Sequence, residues 1–417
     1  MQRKFAISEI FNFKQRVLNW SKLFSTFCFL DSNQYAGEQE WLIGAGIKNQ
    51  FMSSEANALE NFQQFQHQHK CWLFGHLGYE LNTIDSIARI KKKDALGFQN
   101  IYFFEPEIVL IANQNEVEII ASHPLEIFMA ICNSITEPLG DQQLGAVQCN
   151  VSRDDYLKTV LALKAHIQRG DCYEINFCIE NFSENASIDP VLLYDKLNRL
   201  SPNPFSGLYR TEDKWLICAS PERYLKKTGN KIISQPIKGT LKRTPDNLEA
   251  QQQQLLHSSK DRAENVMVVD LVRNDLSRIC REGSVQVEEL FGIYSFPQVH
   301  QMISTIKGQL KEDIRFTDII NATFPMGSMT GAPKIKVMKL IEQYEKSKRG
   351  IFSGSIGFIK PNGDFDFNVV IRSIMYNQQS HYLSWQAGSG ITIYSNPENE
   401  WEECMVKVEA IKEILSQ

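Results

Sequence analysis

"FSGSIGFIKPNGDFDFNVVIRSIMY", residues 352–376, decides how the chain is read. Its two halves alternate as half-buried strands do, and "KPNGDF" (360–365) sets an Asn-Gly turn between them. Such a turn joins antiparallel neighbours, and "HYLSWQAG" (381–388) supplies a further strand. Around these strands "KDRAENVMVVDLVRNDLSRI" (260–279), "GAPKIKVMKLIEQYEKSKRG" (331–350) and "NPENEWEECMVKVEAIKEIL" (396–415) read as helices. Ser152 opens an S-x-x-D start to another, carried by Leu157, Val160, Leu161, Leu163, Ala165 and Ile167 to Gly170.

Upstream, "WLIGAG" (41–46), "CWLFGHLGYEL" (71–81), "NIYFFEPEIVLIA" (100–112) and "EVEIIAS" (116–122) read as strands. The class is therefore α+β, with large sheets and helices packed outside. Polar, turn-rich "EPLGDQQLGAVQCNVSR" (137–153) divides an N-terminal region, 1–149, from a second region, 150–417.

The 417 residues are enough for a large buried core. A formal charge of −5 gives no cationic field for nucleic acid, and the densest basic cluster, "RIKKKDA" (89–95), reads as a solvated loop. The nine cysteines are scattered, with no CxxC and no zinc spacing. Glu9, Lys14 and Arg16 interrupt any leader-like apolar run, and no apolar stretch reaches the roughly 18 residues of a membrane span. A cytoplasmic protein with reduced thiols and no membrane contact is expected.

Charged residues then stand where a bland interpretation struggles. Asp261 and Glu264 lie at i, i+3 on a helix whose continuation, "VMVVDLV", is too apolar for a surface element. Glu400, Glu403 and Lys407 share one face of the last helix, opposite Trp401, Met405, Val408 and Ile411. Two carboxylate pairs on two covered helices suit magnesium, which takes hard oxygen ligands and keeps sites for water and substrate. Strand parity puts Arg372 on the face of Val370 and Ile374, where a buried guanidinium needs an anion. "MGSMTGAPK" (326–334) and "AGSGITIYS" (387–395) are glycine-rich turns that let main chain approach a ligand. Neither is a Walker loop or a dinucleotide fingerprint. Magnesium, an arginine and helix N-termini suit a small polyanion, above all a carboxylate.

Across residues 150–417 the ordered motifs "GDCYEINF", "SPERYL", "PIKGT", "KDRAENVMVVDLVRNDL", "FPMGSMTGAPK", "GSIGF", "VIRSI", "AGSGI" and "NPENEWEECMVK" resemble the chorismate-utilising enzymes. "FLDSN" (29–33) and "WLFGHLGYEL" (72–81) extend the resemblance more weakly upstream. It implies a four-layer α/β/β/α sandwich of two large antiparallel sheets, built jointly by both regions. PIKGT resembles the branch that aminates at C4, because the branch that makes anthranilate by aminating C2 usually has alanine where Lys238 stands.

By that resemblance Lys238 is the nucleophile at C2 of chorismate, and Glu222 is the acid that protonates the departing C4 hydroxyl. Ammonia then enters at C4, giving 4-amino-4-deoxychorismate on the way to 4-aminobenzoate and folate. Glu264 and Glu403 match magnesium ligands, with Asp261 and Glu400 as their water-linked companions. Arg372 and Lys407 match carboxylate contacts, helped by Gly388 and Gly390 and by the loop of Ser328, Thr330 and Gly331. A lysine of ordinary pKa, about 10.4, is almost wholly protonated at neutral pH, so burial or the cationic charge of Arg372 and the metal is expected to lower Lys238.

The chain departs from the family pattern at several places. Gln301 occupies a histidine position with His300 one residue earlier, Phe358 stands where tyrosine is common, and Met326 replaces a glycine. Glu174 stands where isochorismate and salicylate synthases carry a water-activating lysine, which counts against addition of water. No nucleophile-elbow cysteine in a glycine context is found, so ammonia is expected from a separate glutamine amidotransferase subunit, and aromatisation from another enzyme. An anthranilate-forming synthase is the nearest alternative, and an inactive chorismate-binding scaffold a remote one.

Overall fold

Among the residues described by the structure, a computed structural model covering 1–33, 35, 39–82, 92, 94–134 and 143–416, twelve strands form one sheet and ten a second. Every pairing is antiparallel. The first sheet runs from Gln2–Ala6 through Trp41–Ala45, Thr26–Asp31, Phe205–Thr211, Lys214–Ser220, Ser373–Asn377 and Tyr382–Ile391 to Glu174–Ser183. The second runs from Ile237–Lys242 and Val299–Gln309 through Arg223–Thr228, Phe365–Asn368 and Ser355–Ile359 to Leu73–Leu77 and Asn49–Ser53. Strands from before and after residue 150 share both sheets: Thr26–Asp31 pairs with Phe205–Thr211, and Leu73–Leu77 with Ser355–Ile359.

Side-chain alternation sorts the layers. Phe27 and Phe29 join one core with Phe13 and Val17 of the Ile10–Ser21 helix, while Cys28 turns to the other core with Phe74 and Ile356 of the second sheet. A one-residue slip would turn Phe27 and Phe29 away from their helix, and each ring is worth about 1.5–3 kcal/mol when buried. The second core continues to Val268, Val272 and Leu276 of the Ser259–Ile279 helix. The result is the α/β/β/α sandwich. The Asn-Gly hairpin forms as its sequence demands, with Gly363 at φ +81° and Lys360 N–H donating to Asp364 O at 2.7 Å.

Some local expectations are corrected. "FNVVIRSIMY" is two strands, since Phe365–Asn368 belongs to the second sheet and Ser373–Asn377 to the first. Arg372 sits in the crossover at φ +52°, so strand parity does not govern where it points. The helix expected at 331–350 spans Lys334–Tyr344, because Gly331–Ala332 pairs with Glu174–Ser183 and Pro333 is its extended N-cap. The last helix divides into Pro397–Lys407 and Glu409–Leu415 around Val408, whose buried side chain joins the first core. The solvated loop at 89–95 falls mostly outside the described residues, but Lys92 is covered and pairs with Glu342 at 3.2 Å. No helix among the described residues is long and apolar enough to cross a membrane, and they contain no disulfide.

Candidate active site

Two crossovers between the sheets run side by side. One carries Glu222, between Lys214–Ser220 and Arg223–Thr228, and the other carries Arg372. They are laced by Val369 N–H to Glu222 O (3.0 Å) and Ser220 Oγ to Val369 O (2.6 Å). Where the chain changes sheets the two layers cannot stay in contact, and a cavity of about 120 Å³ opens beside the crossovers.

Lys238 reaches this cavity from a bulge in Ile237–Lys242, where Ile237 faces Ile303 and Thr240 faces Gln301, leaving one extra residue. Gly239 at φ +95° supplies the left-handed step that re-aims the preceding lysine. Asn265 Nδ2 donates to Lys238 O at 3.4 Å, and Ser304 Oγ donates to Asn265 Oδ1 at 2.6 Å, tying the bulge to the Ser259–Ile279 helix. That helix starts on Ser258, whose Oγ accepts from Asp261 N–H, and it brings Asp261 and Glu264 to the cavity.

Of the sequence-predicted residues, Glu222, Lys238, Asp261, Glu264, Ser328, Arg372, Gly388, Glu403 and Lys407 line the cavity. Thr330, Gly331, Gly390 and Glu400 are not in its wall. Thr330 Oγ1 turns back to Met326 O (3.1 Å), and Gly331 pairs with Ile175, where a Cβ would meet Glu174 O at 2.1 Å. Gly390 lies under the Lys238 amine, and a Cβ there would come within 2.6 Å of both Lys238 Nζ and Glu174 Oε1. Glu400 is 1 % exposed and reaches Lys260 at 3.2 Å.

The electrostatics correct one expectation. Lys238 Nζ donates to Glu174 Oε1 in a covered ion pair, and the other carboxylate oxygen of Glu174 is buried without a hydrogen bond. Burial pushes the lysine down, but the charges of Glu174 and Glu264, the Glu174 hydrogen bond and the Glu403 charge outweigh it and hold Lys238 above its ordinary range. Arg372, expected to need an anion, meets none within ion-pair distance among the described residues; it donates to Lys407 O at 3.0 Å, and burial pushes it down to about 10. Burial pushes the Glu222 carboxyl up to about 7 against the pull of Ser328 and Lys238, so a large part of it carries a proton at neutral pH. Burial also pushes Glu264 up to about 7, while Glu403 is held down to about 2 because Lys407, at 2.7 Å, outweighs the same effect.

The acidic side fits a divalent cation. Glu264 Oε1 and Glu400 Oε2 are buried with no hydrogen-bond partner, and Lys260 reaches the two carboxylates at 3.9 and 3.2 Å, a cation already among them. No three metal-type side chains converge among the described residues.

Several contributors went unread in the sequence. Asn176 and Gln386 line the cavity from neighbouring strands. Behind them Arg349, 1 % exposed, pairs with Glu345 (2.7 Å) and donates to Met329 O (2.6 Å) and Asn176 O (2.8 Å), bracing two wall segments. The inward parity of Glu174, Asn176 and Cys178 was the available signal. Gln301 lines the cavity, whereas His300, next along the strand, turns away with Nδ1 2.8 Å from Ser295 Oγ. Phe358 packs against Trp72 and Phe74, and Met326 is buried in the second core. A larger cavity of about 360 Å³, bordered by Leu30, Asp31, Trp41, Phe205 and Arg223, contains none of the predicted site residues.

Comparison with known proteins meets this geometry. The profile of the chorismate binding enzymes matches residues 25–413. Aminodeoxychorismate synthase component 1 of Salmonella typhimurium is 40 % identical over 268 residues, 64 % of this chain and 58 % of that protein. The Klebsiella aerogenes protein of the same name is 33 % identical over 360 residues, 84 % of this chain and 79 % of that one. The chain thus spans little more than half of the Salmonella relative. In fold it is similar to anthranilate synthase component I from Streptococcus pneumoniae, with a TM-score of 0.77 at 23 % identity over 92 % of this chain and 91 % of that one. It is also similar to the menaquinone-specific isochorismate synthase from Escherichia coli, with a TM-score of 0.80 at 16 % identity over 100 % of this chain and 94 % of that one.

Proposed function

We propose that this chain, which belongs to the family of chorismate binding enzymes, aminates chorismate at C4 with ammonia to give 4-amino-4-deoxychorismate. The observation that carries the reading is the convergence of an amine, Lys238, and a carboxyl pushed up to about 7, Glu222, on one small cavity with cations on one side and carboxylates on the other. The relatives named aminodeoxychorismate synthase component 1 support the same choice.

Arg372 and Lys407 bind substrate carboxylate, their directions fixed by the carbonyls of Lys407 and Gly388. Glu264 and Glu403, with Asp261 and Glu400, would hold magnesium, which would supply positive charge to a substrate carboxylate and draw electron density from the ring when bound. Lys238 must shed a proton before it can attack, and Glu174 stands in hydrogen-bond contact to accept it. The freed amine bonds to C2 as the C4–O bond breaks, and the Glu222 proton leaves with the hydroxyl as water. Ammonia then bonds to C4 and the C2–Nζ bond breaks, returning the amine. The extra proton of the incoming nitrogen goes to the Glu222 carboxylate, and Lys238 recovers its own from Glu174. A glutamine amidotransferase subunit supplies the ammonia, in a cytoplasm where all nine thiols stay reduced.

The test is product identity. Chorismate with ammonium and magnesium should yield 4-amino-4-deoxychorismate, converted to 4-aminobenzoate only when a lyase is added. Fluorescent anthranilate without lyase would overturn the assignment. Lys238→Ala should lose at least about a thousandfold in turnover.

A further inference from the structure

A second hollow, of about 280 Å³, abuts the catalytic cavity, and Pro221, Gln301, Arg372 and Lys407 line both. On its far side it is bordered by Lys242, Val406 and Glu409, all exposed, so it opens to solvent. Within the partition Gln301 is 3 % exposed, and its side-chain oxygen is buried without a hydrogen-bond donor. We propose that this hollow is the path by which ammonia reaches C4, with the Gln301 oxygen as the acceptor that receives it at the partition.

The inference rests on the amination reading and adds the route. An amide oxygen can only accept, and ammonia, about the size of water, brings three N–H donors. Roughly 30 Å³ per water-sized molecule leaves the hollow room for several. Arg372 and Lys407 flank the partition as cations, which oppose ammonium and leave neutral ammonia unhindered. The mouth does not recruit a dianion: Lys242 and Glu409 neutralise one another there at 2.9 and 3.0 Å, each more than half exposed. The sequence marked Gln301 only as a departure from a histidine pattern, and its unsatisfied oxygen gives that departure a purpose.

The experiment is steady-state kinetics of the full chain with chorismate, magnesium and varied ammonium. Ala410→Phe fills the hollow from the Glu409–Leu415 helix, away from the residues assigned to substrate, and Gln301→Leu removes the acceptor. Each should raise KM for ammonium about fivefold or more, while Ala410→Phe leaves KM for chorismate unchanged. Val406→Trp, from the Pro397–Lys407 helix, keeps the test if Ala410→Phe does not fold. Unchanged ammonium KM in the folded variants overturns the route alone. So does a chorismate KM that rises as much as the ammonium KM, which would make the hollow the substrate's door. A wild-type chain that yields no aminated product removes the amination reading, and the route with it.

Discussion

The two walls of the catalytic cavity are charged oppositely and held differently. On the cationic wall Arg372 and Lys407 already donate to main-chain carbonyls, at 3.0 and 2.8 Å. On the acidic side Glu264, in the wall, and Glu400, behind it, each keep a buried oxygen with no hydrogen-bond donor. Preset donors greet an anion without reorganisation, whereas unpaired carboxylates are costly until a cation arrives. One wall is finished before substrate comes; the other is completed by what binds.

The comparison can be broken at three points. Glu222 lies between the walls, and Glu222→Gln should cut turnover by about 10²–10⁴. The same change should stabilise the fold at pH 8. A carboxyl raised from 4.5 to about 7 makes the folded chain bind more protons than the unfolded one between those values, so its contribution falls as pH rises through that window. Removing the charge should recover roughly 3 kcal/mol there, read as a denaturation midpoint that drops less between pH 5 and 8 than that of the parent chain, Glu264 keeping its own share of the drop. Arg372→Met should raise KM for chorismate by about 10²-fold with a smaller change in kcat, because a preset anion contact serves ground and transition state alike. Lys260→Met should lower the magnesium concentration for half-maximal rate about threefold, since it removes a half-exposed competitor from the acidic wall. An unchanged magnesium requirement would mean that Lys260 does not share the ion's place.

Local rules read some elements closely and missed others for definable reasons. The 260–279 helix emerges as Ser259–Ile279 because its cap, length and apolar stripe all lie within one stretch. Arg372 was misdirected because apolar alternation continues through "FNVVIRSIMY" while the chain leaves one sheet for the other, and period-2 patterning carries no mark of that change. The 331–350 helix was drawn too long because Glu345 and Arg349, good helix formers, are recruited into a buried ion pair beyond its end. Lys238 is expected to be lowered by burial and by the cationic charge of Arg372 and the metal; Glu174, distant in sequence, meets it only once the sheets have formed and outweighs the burial together with Glu264 and Glu403.

The sharing of both sheets by early and late strands sets a condition on biosynthesis. Thr26–Asp31 and Leu73–Leu77 leave the ribosome long before Phe205–Thr211 and Ser355–Ile359 exist to cover their edges. Nascent chains must therefore hold open, apolar ribbons in a state that invites self-association, and their closure depends on contacts between remote parts of the polypeptide. Truncated messages would yield aggregates rather than a half-sized enzyme.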